Sequence, residues 1–304
     1  MIRSLTINGH ELVWGSRTYI MGILNLTPDS FSGDGLIQKG SSLGAELDLD
    51  GILEKARGFI ENGADIIDIG GESTRPGAEL VGEDEEMRRV VPVVEKLATN
   101  LDTIISIDTY KANVAEAAIR SGAHMINDVW GFHADPDLAN VAARHKIPVI
   151  LMHNRSSWAH AEIKEKLGGR YVGIPYVNLL DDVKRELLES VEIAQTAGIP
   201  DELIILDPGI GFGKSVEQNL ELVDRLAEIR ALGYPILLGP SRKSFIGYTL
   251  DLPPDMRLEG TAAAVSIGIA RSADIIRVHD VEFMARVIRM TDAIVRRKHT
   301  GPSS

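Results

Sequence analysis

A chain of 304 residues, 44% hydrophobic and 25% charged, has the size and composition of one large globular domain, because α/β barrels run to about 250 residues or more as a single unit. Its net charge of −12 argues against a broad nucleic-acid surface, which needs clustered Lys and Arg, yet leaves room for a small anion held by a few local cations. There is no cysteine, which excludes disulfides and thiolate metal sites, and no run approaches the ~18 apolar residues of a membrane span. Residues 1–15 lack the basic-then-apolar layout of a signal peptide, so no membrane partner and a cytoplasmic location are expected.

In chain order, the apolar stretches 5–7 and 11–14 flank Asn8-Gly9, a dipeptide that favours a tight hairpin turn. Residues 1–18 therefore read as a short N-terminal β-hairpin able to plug a barrel floor. From there on, short runs rich in Ile, Val and Leu recur at 19–24, 65–69, 103–107, 124–126, 148–152, 203–206, 235–238 and 274–278. Their lack of alternation suits strands buried on both faces, as in a parallel sheet covered by helices. The intervening segments read as helices. Residues 52–62 put Ile52, Leu53, Ala56, Phe59 and Ile60 on one face and stop at Gly63. Residues 111–120 end at Ser121-Gly122, 177–196 close at Gly198, and 216–231 close at Gly233. Eight such βα units favour a (β/α)8 TIM barrel over 19–298, with 299–304 as a disordered tail. No Gly-x-Gly-x-x-Gly turn opens a helix after an early strand, which weakens a dinucleotide-binding reading.

In such a barrel the chemistry sits where the strands end. The runs end, in order, on Asn25; on 70–77 with Thr74, Arg75 and Pro76; on Asp108; on Asn127-Asp128; on His153-Asn154-Arg155; on Asp207 and the glycine-studded stretch through Phe212 to Lys214; on Ser241-Arg242-Lys243; and on Arg277, His279 and Asp280. Taken singly, several have ordinary explanations. Asp108 stands at even odds between a helix cap and a functional group, Asp280 and Ser215 read as caps, and His153 as a satisfied rim histidine. The acidic run 83–86 is explained by the helix dipole. Three groups resist that reading. Gly-rich chain around Arg75 suits an anion, and two cations at 242–243 add little to stability. Asp108 and Asp207, with Asn127 between them, suit a flat heterocycle whose guanidine-like edge a carboxylate can take with two hydrogen bonds.

These residues resemble the dihydropteroate synthase family. The runs 22–32 and 68–77 resemble its first two signatures, and Ser106 to Thr109, Ile126 to Asp128, Leu151 to His153, Asp207 to Lys214, Ser241 to Lys243 and Arg277 to Asp280 continue in family order. The resemblance implies condensation of hydroxymethyl-dihydropterin diphosphate with p-aminobenzoate, giving dihydropteroate and diphosphate. It implies a pterin pocket of Asp108, Asn127, Asp207 and Lys243, and diphosphate near Asn25, Arg75, Arg277 and His279. Asn25 would be a ligand of Mg²⁺. The p-aminobenzoate, and the sulfonamides that compete with it, would lie against Thr74, Arg75, Pro76, Phe212 and Ser241. Asp108, Asp207, Lys243 and Arg75 would carry the catalysis, and a homodimer would form through the last helices, where Phe283, Val287, Ile288 and Ile294 are apolar. The chain departs from the family pattern at Gly33-Asp34-Gly35, in a longer 36–51 segment, at Pro240, and over 154–174, a candidate specificity loop.

Other functions explain fewer residues. A corrinoid methyltransferase shares the Asp and Asn grip but has no diphosphate to hold, leaving Thr74-Arg75, Ser241 to Lys243 and Arg277 to His279 without purpose. A non-catalytic pterin-binding paralogue has only the altered first loop in its favour. An aldolase-type barrel needs a Schiff-base lysine, for which Lys243 is the one candidate.

Overall fold

The computed structural model describes residues 3–26, 47–74, 78–157, 161–172 and 174–297. Strands β1 (Ser4–Ile7) and β2 (His10–Val13) pair antiparallel across Asn8 and Gly9, whose φ values of 48° and 78° are those a tight hairpin turn demands. The barrel begins with β3 (Tyr19–Asn25), β4 (Ile66–Gly70), β5 (Ile104–Asp108), β6 (Met125–Asp128) and β7 (Val149–Met152). A separate antiparallel hairpin follows, β8 (Ala161–Lys164) and β9 (Gly168–Tyr171), before the barrel resumes with β10 (Ile204–Asp207), β11 (Leu237–Leu238) and β12 (Ile275–Val278). All eight barrel strands run parallel, in the order β10-β7-β6-β5-β4-β3-β12-β11. The ring closes where Leu206 bridges Ile236 and its N–H donates to the Pro235 carbonyl at 2.9 Å.

Around it lie α1 (Leu49–Glu61), α2 (Glu83–Asn100), α3 (Ala112–Arg120), α4 (Leu138–His145), α5 (Leu179–Thr196), α6 (Val216–Asp224), α7 (Leu226–Arg230), α8 (Ser244–Leu250), α9 (Leu258–Ala270) and α10 (Val281–Val295). Their starts follow local chemistry. The Asp48 side chain accepts from the Gly51 N–H, Asn178 from Asp181, and Ser215 forms a reciprocal box with Gln218. Gly22 permits the close seating of α1 on β3, since a Cβ there would meet the Phe59 ring at 2.8 Å. The single helix expected over 216–231 is broken at Arg225, and Leu222, Leu226 and Ile229 on either side of the break all remain buried.

Strand alternation separates two cores. Side chains facing outward, such as Ile67, Ile105, Ile126 and Leu206, pack under the helices. Those facing inward at the N-terminal strand ends, among them Met21, Ile66, Ile104, Met125, Ile150, Ile205, Leu237 and Ile275, form a second cluster with Leu5, Ile7, Leu12 and Trp14 of the hairpin. The hairpin is thus the apolar floor, and water is excluded from below. The apolar residues of the last helix divide. Ile288 is buried and Phe283 and Val287 pack against the core, while Ile294 is 56% exposed, beside Met290 at 63% and Ile267 at 46%. No helix among the described residues is long and apolar enough to cross a membrane.

Candidate functional site

Strand register sets the site. Arg277 of β12 lies opposite Met21, which lies opposite Ile66, two residues before Asp68 on β4. Asp68 leads through Ser106 and Met125 to Asn127 of β6, again two residues on. Asn127 leads through Ile150 and Ile205 to Asp207 of β10. Asp207 stands one beyond the Leu206–Ile236 bridge and so leads through Leu237 and Ile275 back to Arg277. Strand tilt imposes this stagger, so alternate strands deliver Arg277, Asp68, Asn127 and Asp207 to one level of the barrel. A barrel of this type ordinarily fills such a layer with Val, Ile and Leu. Here it is charged, above an apolar floor.

Three of its groups, Arg277, Asp68 and Asn127, are joined. Arg277 Nε donates to Asp68 Oδ2 at 2.6 Å and its Nη2 to Asp108 Oδ2 at 2.6 Å. Asn127 Nδ2 donates to the same Asp68 oxygen at 3.1 Å. Burial pushes the Asp108 carboxyl up to about 7 against the pull of Arg277. It also raises Asp207, opposed by Lys243, although the Gly209 N–H donates to Asp207 Oδ1 at 2.7 Å. Burial brings the Lys243 ammonium down to about 8, with Asp207 resisting. Lys243 donates to the Ile210 carbonyl and stands 4.7 Å over the Phe212 ring. Asn25 ends β3 on the same rim, its Oδ1 and the Asp108 Cβ flanking Gly70 at 3.5 and 3.6 Å from where a Cβ would lie.

The surrounding loops are pinned by buried cations. Lys214 donates to the Gly209 and Phe212 carbonyls at 2.8 and 3.0 Å and to His153 Nδ1 at 2.9 Å. Gly209, with φ 69°, has to be glycine, because a Cβ there would sit 1.8 Å from the His153 carbonyl oxygen. His153 accepts from Lys214, so its ring proton is on Nε2 and donates to Glu186 at 3.0 Å; burial holds it neutral, down at about 4. On the other side Lys111 Nζ donates to Glu72 at 2.6 Å, Glu86 at 2.5 Å and the Val81 carbonyl at 2.6 Å, clamping both ends of the loop that carries Thr74. Thr74 accepts at its carbonyl from the Tyr171 hydroxyl at 3.0 Å, and the Tyr171 ring stacks on Phe212 with centroids 6.3 Å apart. These residues, with Tyr110 and Trp130, line a cavity of about 210 Å³. Ser241 Oγ accepts from the His279 backbone N–H at 3.3 Å and lies within hydrogen-bond distance, 2.9 Å, of its ring Nδ1.

A family model described as "Pterin binding enzyme" matches residues 21–279. The chain is 51% identical to the dihydropteroate synthase of Clostridium beijerinckii, over 96% of this chain and 100% of that one. It superposes with a TM-score of 0.82 on a dihydropteroate synthase from Clostridium difficile crystallised with pteroic acid, at 47% identity, covering 93% of this chain and 99% of that one. The Xanthomonas albilineans enzyme with 4-aminobenzoic acid gives 0.83 at 35% identity, covering 97% and 98%. The chain belongs to the dihydropteroate synthase family.

Of the residues that family resemblance singles out, Asp108, Asn127, Asp207, Lys243 and Arg277 converge within the barrel mouth, and Asn25, Ser241 and His279 stand on its rim. Thr74 and Phe212 line the cavity beside it. Arg75 and Pro76, and the departures at Gly33 to Gly35 and over 36–46, lie outside the described residues. Three readings are corrected. Asp280 occupies the cap position of α10 without a capping hydrogen bond, because its carboxylate pairs with Arg242. Arg242 therefore has a structural partner, where the sequence suggested a cation that adds little to stability. Glu86 is more than a dipole charge, since it is buried against Lys111. Of the two readings open for Asp108, the cap is not realised, since Lys111 holds the cap position of α3 and no side chain caps it. Sequence reasoning missed Asp68, Lys111 and Tyr171. Asp68 had a signal, a carboxylate inside an apolar run at the same two-residue spacing as Ile66 and Gly70.

The Mg²⁺ that the resemblance implies would need ligands at this mouth. Among the described residues no three His, Asp or Glu could together hold an ion. Asn25 offers one neutral oxygen, which fits an ion that keeps waters and substrate phosphates as its other ligands.

Lys111→Met leaves Glu72 and Glu86 buried against each other without a cation. It should cost about 3–5 kcal/mol of stability, read from urea unfolding. A loss below about 1 kcal/mol, the scale of exposed pairs, would mean the clamp does not hold the loop.

Proposed function

We propose that the chain is a dihydropteroate synthase that joins hydroxymethyl-dihydropterin diphosphate to p-aminobenzoate in folate biosynthesis. One observation carries the reading: a closed charged layer of two carboxylates, an amide and a guanidinium at the barrel mouth, with Lys243 beside it. Asp207 takes the guanidine-like edge of the pterin, Asn127 and Lys243 read its other polar groups, and Asp108 lies beneath the reacting methylene. The bond from that methylene to oxygen breaks, and its electron pair leaves with diphosphate. The amine lone pair then forms the C–N bond and the nitrogen loses its proton to water. Positive charge developing on the pterin is met by Asp108 and Asp207, and negative charge on diphosphate by Arg75, Arg277 and His279. Asn25 would hold a Mg²⁺, which spreads charge on the leaving group. The p-aminobenzoate lies against Thr74, Arg75, Pro76, Phe212 and Ser241, where alignment supplies much of the rate.

The reading extends to a cytoplasmic homodimer. The half-exposed Ile267, Met290 and Ile294 on α9 and α10 supply apolar surface for the second copy, and a chain without cysteine suits a reducing compartment.

Purified protein with Mg²⁺ and both substrates should release diphosphate only when p-aminobenzoate is present, with dihydropteroate formed in equal amount. Tight pterin binding without product would make the chain a non-catalytic relative. Pterin affinity should also peak between about 7 and 8, where Asp108 is ionised and Lys243 still charged. The loss toward acid should vanish in Asp108→Asn and the loss toward alkali in Lys243→Arg. Titrations of the two variants that keep the wild-type profile would sink both assignments.

A further inference from the structure

We infer that Asp68 is the positioning residue of the pterin seat and the anchor about which Arg277 exchanges partners; the inference rests on the reading of this layer as that seat. Asp68 is fully buried on β4, and its Oδ2 accepts from Asn127 on β6 and from Arg277 on β12, the next alternate strand on either side. Stability alone gives no reason for a carboxylate there. Its Oδ1, and the hydroxyl of its register partner Ser106, are buried with no hydrogen-bond partner among the described residues. Burying such groups is costly, and an aliphatic side chain would fill the layer at no such cost.

Two consequences follow for the ligand. Asn127 spends its Nδ2 on Asp68, so the amide presents its Oδ1 as an acceptor for a ring N–H; Asp68 fixes which end of the amide the pterin meets. Arg277 holds Asp68 through Nε and Asp108 through Nη2. A pterin N–H that takes Asp108 displaces only the second contact. The guanidinium then pivots on Asp68 with its terminal nitrogens released toward the diphosphate. Pterin and diphosphate binding are thereby coupled, and by linkage each strengthens the other equally.

The test is calorimetric titration of the full chain with hydroxymethyl-dihydropterin, which lacks the diphosphate, and with inorganic diphosphate, alone and together. Saturating pterin should tighten diphosphate binding in the wild type by about tenfold or more, the scale of a released charge-assisted bond. Asp68→Ala should weaken pterin binding by about 10- to 100-fold and abolish the coupling. Asp68→Asn keeps an oxygen where both donors meet and should bind pterin within about threefold of the wild type. Asp68→Ala binding pterin like the wild type, or Asp68→Asn as damaged as Asp68→Ala, would overturn the inference while leaving the site's function standing. A wild type that binds no pterin would overturn the functional reading, and this inference with it. Should Asp68→Ala fail to fold, the ¹⁵N spectrum of arginine-labelled wild type decides. The Arg277 Nε–H signal, assigned against Arg277→Lys, should stay in place on adding both ligands while its Nη signals move; an Nε signal that shifts to an unbonded position contradicts the anchor.

Discussion

The guanidinium of Arg277, held between Asp68 and Asp108 inside the barrel, is the interaction on which the rest of the site depends. A charge at that depth is tolerable only when paired, and removal of one partner from a buried pair costs about 3–5 kcal/mol. Here one cation is shared between two carboxylates. That arrangement opposes, without cancelling, the burial that raises the Asp108 carboxyl to about 7. The apolar floor is the other half of the constraint. Leu5, Ile7, Leu12 and Trp14 close the barrel from below, so the charged layer is wetted only from the side where ligands enter. Low polarity beneath strengthens each pair above it.

Outside this layer, buried lysines fix loops in place. Lys111 draws Glu72 and the Val81 carbonyl together at the neck of one loop, and Lys214 gathers the Gly209 and Phe212 carbonyls of another and ties them to His153. Both loops reach the cavity lined by Thr74, Tyr171 and Phe212, where the aromatic acceptor is proposed to lie. Rigid necks with ligand-facing tips are what positional catalysis needs, because a misplacement of about 1 Å can cost some 100-fold in rate.

The order of elements was legible from residues alone because buried parallel strands are continuous apolar runs and Gly63, Gly122, Gly198 and Gly233 mark four of the helix ends. All eight runs became strands, and five of them extend a residue or two further toward their polar ends, as at Asn25, Asp108 and Asp207. The rim residues were legible for the same reason. The layer was not, because which residues share a level depends on barrel shear, a property of all eight strands together. Hence Asp68 passed as part of an apolar run, and Arg277 read as a diphosphate ligand without its partners. Asp280 and Arg242 were misread because a cap and an ion pair draw on the same carboxylate, and only the fold brings Arg242 within its reach. The break at Arg225 and the hairpin of β8 and β9 left no periodic signal to find.

The central claim is that this charged layer reads a pterin ring, and Asp207 tests it most directly because its role needs a full carboxylate. Equilibrium binding of hydroxymethyl-dihydropterin to the wild type and to Asp207→Asn, with folding of both checked by circular dichroism, is the decisive comparison. A bidentate charge-assisted grip predicts a loss of about 100-fold or more in the variant. Equal affinity in the two proteins would contradict the account.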